Sequence, residues 1–293
     1  MGGALTVAEH VVAARLRLGE AGIGAPDAAL DAEVLARSLL GWDRARYLAD
    51  AREAAPDWFA ARYRGWLERR AAREPVSLIV GRREFWGLDF EVTPGVLTPR
   101  PETEWLVQEA LACAADLPLP RAPSPVVVDV GTGSGCVAIS LARELRDARV
   151  VATDVSRAAL AVARRNASRL GVAGRIELVQ GSLLEPIGAP IDLIASNPPY
   201  VPSASLGSLP PEVRDYEPAL ALDGGPDGLA VIRLLIDQAQ RALAPGGWLV
   251  FEFGHGEEAG IRAALAHRPA LELVRVRADL QGIPRTAVAR RVR

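Results

Sequence analysis

The sequence of 293 residues contains no lysine, two cysteines and three histidines. Two cysteines do not make a disulfide framework, and with so few histidines they do not supply the ligands of a structural zinc site, so we expect no metal. The absence of lysine excludes a P-loop, which needs a lysine to reach the phosphates. No apolar run approaches the roughly 20 residues of a membrane span, and the first residues show no signal-peptide pattern. We therefore expect a cytoplasmic protein that contacts no membrane.

The charge balance disfavours a nucleic-acid partner. The formal net charge is −2, and residues 1–75 contain eleven arginines and eleven acidic residues. Proteins that bind nucleic acid usually present a basic face, so we expect no direct nucleic-acid contact. A neutral N-terminal region is better suited to binding protein, although a region that only packs on the rest of the chain fits the sequence equally well.

Residues 6–75 show the pattern of a small helical bundle. A capping box of Thr6 and Glu9 opens the first predicted helix, which stops at Gly22 and Gly24. The next two predicted helices run from about Asp27 to Leu40 and from Pro56 to about Arg73.

The remainder of the chain predicts an α/β fold. Residues 83–92 alternate in the manner of a strand around Gly87, which predicts a hairpin; Pro101 can open a helix, and residues 117–125 read as a proline-rich connector. From Val126 short apolar runs alternate with amphipathic segments, which predicts a mostly parallel sheet with helices on both faces. The predicted strands cover residues 126–130, 149–153, 176–179, 191–195, 248–253, 271–277 and 286–292, and the predicted helices lie near 135–145, 156–170, 228–243 and 257–267. The last strand is expected to return antiparallel at or near an edge, because no helix precedes it.

The string VVVDVGTGSGCVAISLA, residues 126–142, places a glycine-rich turn between a predicted strand and a predicted helix. Glycines let the backbone turn sharply and approach a ligand closely. The spacing is not that of a dinucleotide-binding fingerprint, because the third glycine comes one residue early. The pattern resembles the first motif of S-adenosylmethionine-dependent methyltransferases with a Rossmann-like sheet. The cofactor-binding residues that this resemblance implies are Gly131, Thr132, Gly133, Ser134 and Gly135.

Asp154 ends the second predicted strand of the sheet, about 20 residues beyond the glycines. An acidic side chain at this place can accept hydrogen bonds from both ribose hydroxyls of a nucleoside. An alternative role is capping of the next helix, by Asp154 or by Ser156. The turn after the third strand, with Ser182 and Leu183, is expected to border the adenine of the cofactor.

The string SNPPYVP, residues 196–202, leaves a predicted buried strand through two consecutive prolines. Pro198 forces Asn197 into an extended conformation, and the two prolines remove N–H donors but keep their carbonyls. The slot therefore presents acceptors, the Asn197 side-chain oxygen and a proline carbonyl, which match the two hydrogens of an NH2 group. Holding both hydrogens aims the nitrogen lone pair at a sulfonium methyl group, and Tyr200 can form a wall against a flat amide or ring.

Six strings occur in an order typical of one family, behind a helical N-terminal region. They are EFWGLDFEV, LTPRPETEWLV, DVGTGSGCVAISLA, SNPPYVP, YEPALALDGGPDGL and LQGIPR. Together they resemble the peptide chain release factor glutamine methyltransferase family (HemK/PrmC-like). The resemblance implies that the chain transfers a methyl group from S-adenosyl-L-methionine to the side-chain amide nitrogen of the glutamine in the Gly-Gly-Gln motif of bacterial class I peptide chain release factors.

The resemblance also implies a domain organisation and a set of site residues. Residues 1–78 are expected to form a helical substrate-recognition domain, residues 79–98 a β-hairpin connector, and residues 99–293 a Rossmann-like class I S-adenosylmethionine-dependent methyltransferase domain with a mostly parallel seven-stranded sheet. We expect a monomer. The implied catalytic residues are Asn197, Pro198 and Tyr200, with Asn197 also contacting the cofactor. The implied substrate-binding residues are Asn197, Pro198, Pro199, Tyr200, Arg100, Glu102, Glu217 and Pro218.

Two other functions compete with this interpretation. Enzymes that methylate the exocyclic amine of adenine or guanine use similar Asn-Pro-Pro-Tyr tetrads, for the same lone-pair reason. The neutral N-terminal region argues against that class. The string PRPETE, residues 99–104, favours the release factor family over a sister family that acts on a large-subunit ribosomal protein. The second competing function is that of a non-enzymatic adaptor, and this hypothesis predicts that no acceptor is methylated.

Overall fold

The computed structural model describes residues 4–117, 124–188 and 190–292. Most of the predicted proline-rich connector at residues 117–125 lies outside this part of the chain. The chain divides into two compact units, which are described separately below. We call Met1–Arg82 with Pro210–Tyr216 the helical unit, and Arg83–Leu209 with Glu217–Arg293 the sheet unit.

The order of helices and strands follows the sequence patterns closely. The helices are α1 Val7–Glu20, α2 Ala25–Leu40, α3 Arg44–Asp50, α4 Phe59–Ala71, α5 Val76–Val80, α6 Thr103–Ala115, α7 Cys136–Glu144, α8 Arg157–Arg169, α9 Pro211–Arg214, α10 Ala230–Ala242 and α11 Glu258–Ala266. The strands are β1 Arg82–Phe85, β2 Leu88–Glu91, β3 Val126–Val130, β4 Arg149–Asp154, β5 Ile176–Gln180, β6 Ile191–Ser196, β7 Leu243–Glu252, β8 Leu271–Ala278 and β9 Pro284–Arg291. The predicted hairpin, β1 and β2, and the seven predicted strands of the main sheet are confirmed.

The helical unit begins and ends its first two helices as its sequence predicts. The Thr6 hydroxyl oxygen accepts a hydrogen bond from the Glu9 backbone N–H at 3.2 Å, and the Glu9 carboxylate accepts one from the Thr6 N–H at 2.7 Å. These two bonds satisfy backbone donors that the first turn of α1 leaves without partners. Helix α2 ends at Gly41, whose φ of +66° is left-handed and therefore favours glycine.

The third predicted helix starts later than expected, and three short helices were not predicted. Pro56 lies in a turn, where its carbonyl accepts a hydrogen bond from Phe59 N–H at 2.8 Å, so α4 begins at Phe59. The unpredicted helices α3, α5 and α9 contain only 7, 5 and 4 residues. Segments this short do not show a full amphipathic repeat, so hydrophobic periodicity cannot detect them.

Segment Pro210–Tyr216 belongs to the helical unit although it is distant in sequence. Arg70 is only 6% exposed, and its guanidinium donates to the Asp31 carboxylate at 2.7 Å and to the Glu212 carboxylate at 3.1 Å. The Tyr216 hydroxyl donates to the Ala72 carbonyl at 2.7 Å. A buried arginine with two carboxylate partners thus ties this segment to α2 and α4.

The sheet unit contains the seven-stranded sheet, with strand order β5-β4-β3-β6-β7-β9-β8. Strands β3 to β7 pair in parallel, whereas β9 is antiparallel to both of its neighbours, as predicted for the last strand. From β3 the chain first adds β4 and β5 on one side and then places β6 on the other. The order of strands therefore reverses between β3 and β6, and ligands of such sheets bind at this point, beyond the carboxyl ends of the strands.

Both faces of the sheet are covered by helices. Successive residues of a strand point to opposite faces, so a sheet covered on both sides needs continuous apolar runs. Val127 packs into a core cluster with residues of α6 and α7, whereas its neighbour Val128 packs into a second cluster with residues of α10 and α11. In β6, Leu193 packs into the first of these clusters and its neighbour Ile194 packs into the second.

Within residues 4–117, 124–188 and 190–292, no helix combines the length and the apolarity needed to cross a membrane. The same residues include no group of three or more histidine, cysteine, aspartate or glutamate side chains placed to hold a metal ion.

Candidate active site

A cavity of about 320 Å³ opens at the carboxyl ends of β3, β4, β5 and β6, within the sheet unit. Each of these strands delivers a predicted site residue, or the turn that carries one, to the same edge of the sheet. The predicted site residues that line the cavity are Gly131, Thr132, Gly133, Ser134, Asp154, Ser182, Leu183, Asn197, Pro199, Arg100 and Pro218. The structure therefore brings together residues that are up to 118 positions apart in sequence, from Arg100 to Pro218.

The glycine-rich turn after β3 is shaped by a buried carboxylate. Asp129 is 1% exposed, and its Oδ2 accepts hydrogen bonds from the Thr132 hydroxyl at 2.6 Å and from the Ala138 N–H at 3.0 Å. These bonds fix the turn against the first turn of α7. Burial raises the pKa of the Asp129 carboxyl to about 7.

The three glycines of the turn have different local surroundings. All have positive φ, with +72° at Gly131, +55° at Gly133 and +83° at Gly135, a conformation that side chains disfavour. A Cβ on Gly131 would meet no atom within 4 Å, whereas a Cβ on Gly135 would lie 3.1 Å from the Ala163 Cβ. Gly135 therefore permits close packing of α7 on α8, while Gly131 leaves open space beside the cavity.

Asp154 links the end of β4 to the glycine-rich turn. Its Oδ2 accepts a hydrogen bond from the Gly133 N–H at 2.9 Å, and its Oδ1 accepts one from the Ser156 N–H at 2.8 Å. Ser156, not Asp154, caps α8, because its side chain accepts from the Ala159 N–H. Each carboxylate oxygen has a second lone pair, so Asp154 can still accept hydrogen bonds from a ligand. Burial raises the pKa of this carboxyl.

The turn after β5 carries Ser182 and Leu183. Leu183 has a φ of +49°, which is uncommon for a residue other than glycine and is concentrated at functional sites. The Thr153 hydroxyl donates to the Leu183 carbonyl at 2.9 Å, and Gln238 accepts from the next N–H, that of Leu184, at 2.8 Å. Two hydrogen bonds therefore hold this strained backbone at the cavity wall.

The Asn197 side chain is held by a chain of buried polar groups. Its Nδ2 donates to the Thr103 hydroxyl at 3.0 Å, and Thr103 donates in turn to the Glu252 carboxylate at 2.8 Å. Glu252 also accepts from the Tyr200 hydroxyl at 3.2 Å. Asn197 and Pro199 line the cavity, whereas Pro198 and Tyr200 do not. The Tyr200 ring instead packs against the apolar cluster under α10 and α11.

Of the remaining predicted substrate-binding residues, some line the cavity and others do not. Arg100 donates to the Glu217 carboxylate at 2.6 Å, and burial raises the pKa of Glu217 although Arg100 opposes this. Arg100 and Pro218 line the cavity, but Glu217 and Glu102 do not. Glu102 is the residue that precedes the first turn of α6. Among the hydrogen bonds of the described residues, the one from Arg100 joins Glu217 to the lining of the cavity.

Three buried polar residues of the site were not singled out in the sequence. They are Asp129, Thr103 and Glu252, with exposures of 1%, 2% and 2%. For two of them a signal was present, because VVVDV and WLVFEF each place a single carboxylate inside an apolar strand, where an unpaired charge is costly. Thr103 lies within PRPETE, but nothing in that string distinguishes its hydroxyl from an exposed one.

Comparison with known proteins assigns the chain to a family. Residues 9–81 match the family model described as PrmC N-terminal domain, and residues 115–206 match the one described as Methyltransferase small domain. The release factor glutamine methyltransferase of Geobacter sulfurreducens is 48% identical over 237 residues, which cover 80% of this chain and 80% of that protein. The one of Bradyrhizobium diazoefficiens is 41% identical over 291 residues, covering 99% and 96%. The chain belongs to the release factor glutamine methyltransferase family.

This membership confirms the resemblance drawn from the six sequence strings. A solved structure, the hMettl16 catalytic domain in complex with MAT2A 3'UTR hairpin 1, is similar over 88% of this chain and 91% of that one, with a TM-score of 0.58 and 15% identity. At this identity the likeness shows a shared fold alone, and it confirms the predicted class I methyltransferase sheet. The chain is an S-adenosyl-L-methionine-dependent methyltransferase.

The cavity fits this cofactor. The Ser134 hydroxyl is buried, lines the cavity and has no hydrogen-bond partner among the residues that the structure describes. Such a group carries a penalty unless a ligand or water satisfies it. Gly131 leaves room for a ligand to approach the backbone, and Asp154 keeps free acceptor capacity at the end of β4.

Proposed function

We propose that this member of the family methylates the side-chain amide nitrogen of the glutamine in the Gly-Gly-Gln motif of bacterial class I peptide chain release factors. Relatives that match 80% and 99% of the chain carry the name release factor glutamine methyltransferase. The single observation that carries the proposal is the orientation of Asn197 at the cavity wall. Its Nδ2 is engaged by Thr103, so its Oδ1 remains for an N–H donor of the acceptor.

The chemistry required of the protein is control of a poor nucleophile. An amide nitrogen is planar and its lone pair is delocalised into the carbonyl, so it does not attack readily. Asn197 Oδ1 and a carbonyl of the following prolines can each accept one hydrogen of the acceptor NH2 group. Such contacts draw the nitrogen toward a tetrahedral geometry and direct its lone pair, a contribution of positioning and electrostatics.

S-adenosyl-L-methionine, when bound, supplies a methyl group activated by attachment to a sulfonium. We assign its binding to Gly131, Thr132, Gly133, Ser134, Gly135, Asp154, Ser182, Leu183 and Asn197. Of these, Gly135 acts through packing of α7 on α8, because it does not line the cavity. Asp154 is suited to the ribose hydroxyls and the Leu183 turn to the adenine.

The acceptor protein requires further contacts at the mouth of the cavity. Arg100 retains N–H donors beyond the one given to Glu217, and these can bind backbone carbonyls of the acceptor loop. Pro198, Pro199 and Tyr200 complete the substrate-binding and catalytic segment around Asn197. Pro218 is assigned to the same mouth, Glu217 is assigned to holding Arg100 there, and Glu102 is assigned a contact with the acceptor protein outside the cavity.

We further propose that residues 1–78 recognise the release factor and that residues 99–293 catalyse the reaction. Residues 79–98 connect these two domains. The neutral charge of the N-terminal region supports contact with protein over contact with nucleic acid. The proposed enzyme acts as a monomer in the cytoplasm, where release factors work.

The test is direct methylation of a purified acceptor. The protein is incubated with S-adenosyl-L-methionine and an unmodified class I release factor, and the Gly-Gly-Gln peptide is analysed by mass spectrometry. We expect one added methyl group on that glutamine, and none when the acceptor glutamine is replaced by glutamate, which has no NH2 group. Methylation elsewhere, or none despite demonstrated cofactor binding, would refute the proposed substrate. Methylation of RNA or DNA that weakens steeply with added salt would support the nucleic-acid class instead.

A further inference from the structure

A buried carboxylate stands behind the acceptor slot without lining it. Glu252 ends β7 and is 2% exposed. It accepts hydrogen bonds from the Thr103 hydroxyl at 2.8 Å and the Tyr200 hydroxyl at 3.2 Å. Thr103 in turn accepts from Asn197 Nδ2 at 3.0 Å. Glu252 therefore influences the slot through the side chains of Thr103 and Tyr200, which donate hydrogen bonds to it.

The chemistry of these groups gives the chain of hydrogen bonds one direction. An ionised carboxylate has no hydrogen, so it can only accept, and the Thr103 hydroxyl must donate its single hydrogen to Glu252. The Thr103 oxygen is then left as an acceptor. Only the Nδ2 end of the Asn197 amide has hydrogens to give it. The carboxylate thus determines which end of the amide faces Thr103.

The direction matters because an asparagine amide can rotate by half a turn with little change of shape. The rotated amide would present its own NH2 group to the acceptor NH2 group, and two donors cannot form a hydrogen bond. No donor from the part of the chain that the structure describes contacts Asn197 Oδ1, so this atom is available to a ligand. The amide therefore needs a fixed orientation to serve as an acceptor.

We infer that Glu252 and Thr103 are positioning residues that fix the Asn197 amide with its oxygen toward the acceptor nitrogen. This inference rests on the proposed function, because it concerns an NH2 acceptor. Neither Glu252 nor Thr103 is assigned a contact with the reacting atoms. Their effect on the reaction passes through Asn197. Tyr200 is held by the same carboxylate, so both sides of the tetrad share one buried anchor.

The decisive variants are T103V and T103S, with T286V as the matched control. T103V keeps the branched shape and removes the hydroxyl, whereas T103S keeps the hydroxyl. Thr286 pairs with Glu252 across β7 and β9 and is 0% exposed, but its hydroxyl has no hydrogen-bond partner among the described residues. T286V therefore makes the same substitution beside the same carboxylate without breaking the chain of hydrogen bonds.

We expect T103V to lower kcat for release factor methylation at least about 10-fold, since loss of alignment at a reacting centre has effects of this size or larger. The Kd for S-adenosyl-L-methionine should stay within about 2-fold of wild type, and T103S and T286V should keep most of the wild-type kcat. Adding T103V to N197A should cause no further loss, because Thr103 acts through Asn197. Thermal unfolding of each variant shows whether it is folded.

Wild-type turnover by folded T103V, or an equal loss in T286V, would overturn the inference. A further loss of T103V on top of N197A would also overturn it, because Thr103 would then act by another route. If T103V does not fold, E252L decides by the same measurements, since leucine can neither accept from nor donate to Thr103; wild-type kcat in folded E252L would refute the role. Failure of the proposed function is distinguishable, because the wild-type protein would then leave the release factor unmethylated.

Discussion

The Gly133 backbone N–H donates to the Asp154 carboxylate at 2.9 Å. This bond joins the turn after β3 to the end of β4, so the two parts of the proposed cofactor site form one hydrogen-bonded unit. The same carboxylate accepts from the Ser156 N–H, which fixes its orientation from the other side. Asp154 thus shapes the glycine-rich turn in addition to its proposed contact with the ribose.

D154N should weaken cofactor binding. An asparagine has a single acceptor oxygen, so it cannot accept from both Gly133 and Ser156 and still bind a ribose hydroxyl. Hydrogen bonds to charged groups contribute about 1.5 to 3 kcal/mol, so we expect the Kd for S-adenosyl-L-methionine to rise about 10-fold or more, measured by titration calorimetry. D237N, at a carboxylate that pairs with Arg268 and does not line the cavity, should leave the Kd unchanged. An unchanged Kd in D154N would contradict the assignment.

N197A should separate catalysis from cofactor binding. The variant removes the acceptor oxygen proposed for the NH2 group, and we expect kcat to fall about 100-fold or more. The Kd for S-adenosyl-L-methionine should remain near the wild-type value, because Asn197 supplies only one of the proposed cofactor contacts and those of the glycine-rich turn and Asp154 are intact. Single-turnover methylation and equilibrium binding measure the two quantities. If cofactor affinity falls as far as turnover, the main role of Asn197 is cofactor binding, and its proposed role on the acceptor is wrong.

The rate of methylation should depend on pH through Glu252. Burial raises the pKa of this carboxyl to about 7, with Glu102 raising it further and hydrogen bonds from Thr103 and Tyr200 and the charge of Arg285 opposing the rise. Below this pKa the protonated carboxyl can also donate, so it no longer sets the direction of the hydrogen bonds. Ionisation restores an acceptor-only group. We therefore expect kcat to increase as pH rises through about 7, measured under saturating substrates.

The control for this pH dependence is E252Q, whose amide does not titrate. Its kcat should be nearly independent of pH over the same interval. Asp129 also has a pKa raised to about 7 by burial. An acid limb that persists unchanged in E252Q would assign the titration to Asp129 and would argue against the role of Glu252.

R70M should destabilise the helical unit. Arg70 lies between Asp31 and Glu212 and is 6% exposed, so its removal leaves Asp31 without a cation and leaves Glu212 with Arg73 alone. Breaking a buried pair in this way costs about 3 kcal/mol or more, which urea unfolding detects. R46M removes an exposed pair with Asp50 and should change the free energy of unfolding by less than about 1 kcal/mol. Equal effects of the two variants would show that burial of Arg70 contributes little.

Segments of the helical unit differ in how clearly their sequences predict their structure. Helices α1 and α2 were predictable because each has a recognisable start or stop and enough length for an apolar stripe. Helix α3 has no buried residue, so it leaves no hydrophobic periodicity in the sequence. Segment Pro210–Tyr216 joins the helical unit through Glu212 and Tyr216, whose partners are in α4 and just after it. Its own composition does not indicate that pairing.

The sequence by itself determined the α/β sheet, the glycine-rich turn after β3 and the Asn-Pro-Pro segment after β6, where the cofactor and acceptor sites are proposed. Continuous apolar runs, glycine spacing and paired prolines act locally, through backbone conformation and periodicity, so they can be read in chain order. The tertiary structure alone decided that Glu252, 149 residues from Thr103, stands behind Asn197, 94 residues from Thr103. Contact between residues so distant in sequence depends on strand order and on which face of each strand a side chain occupies. These are properties of the assembled sheet and not of any short segment.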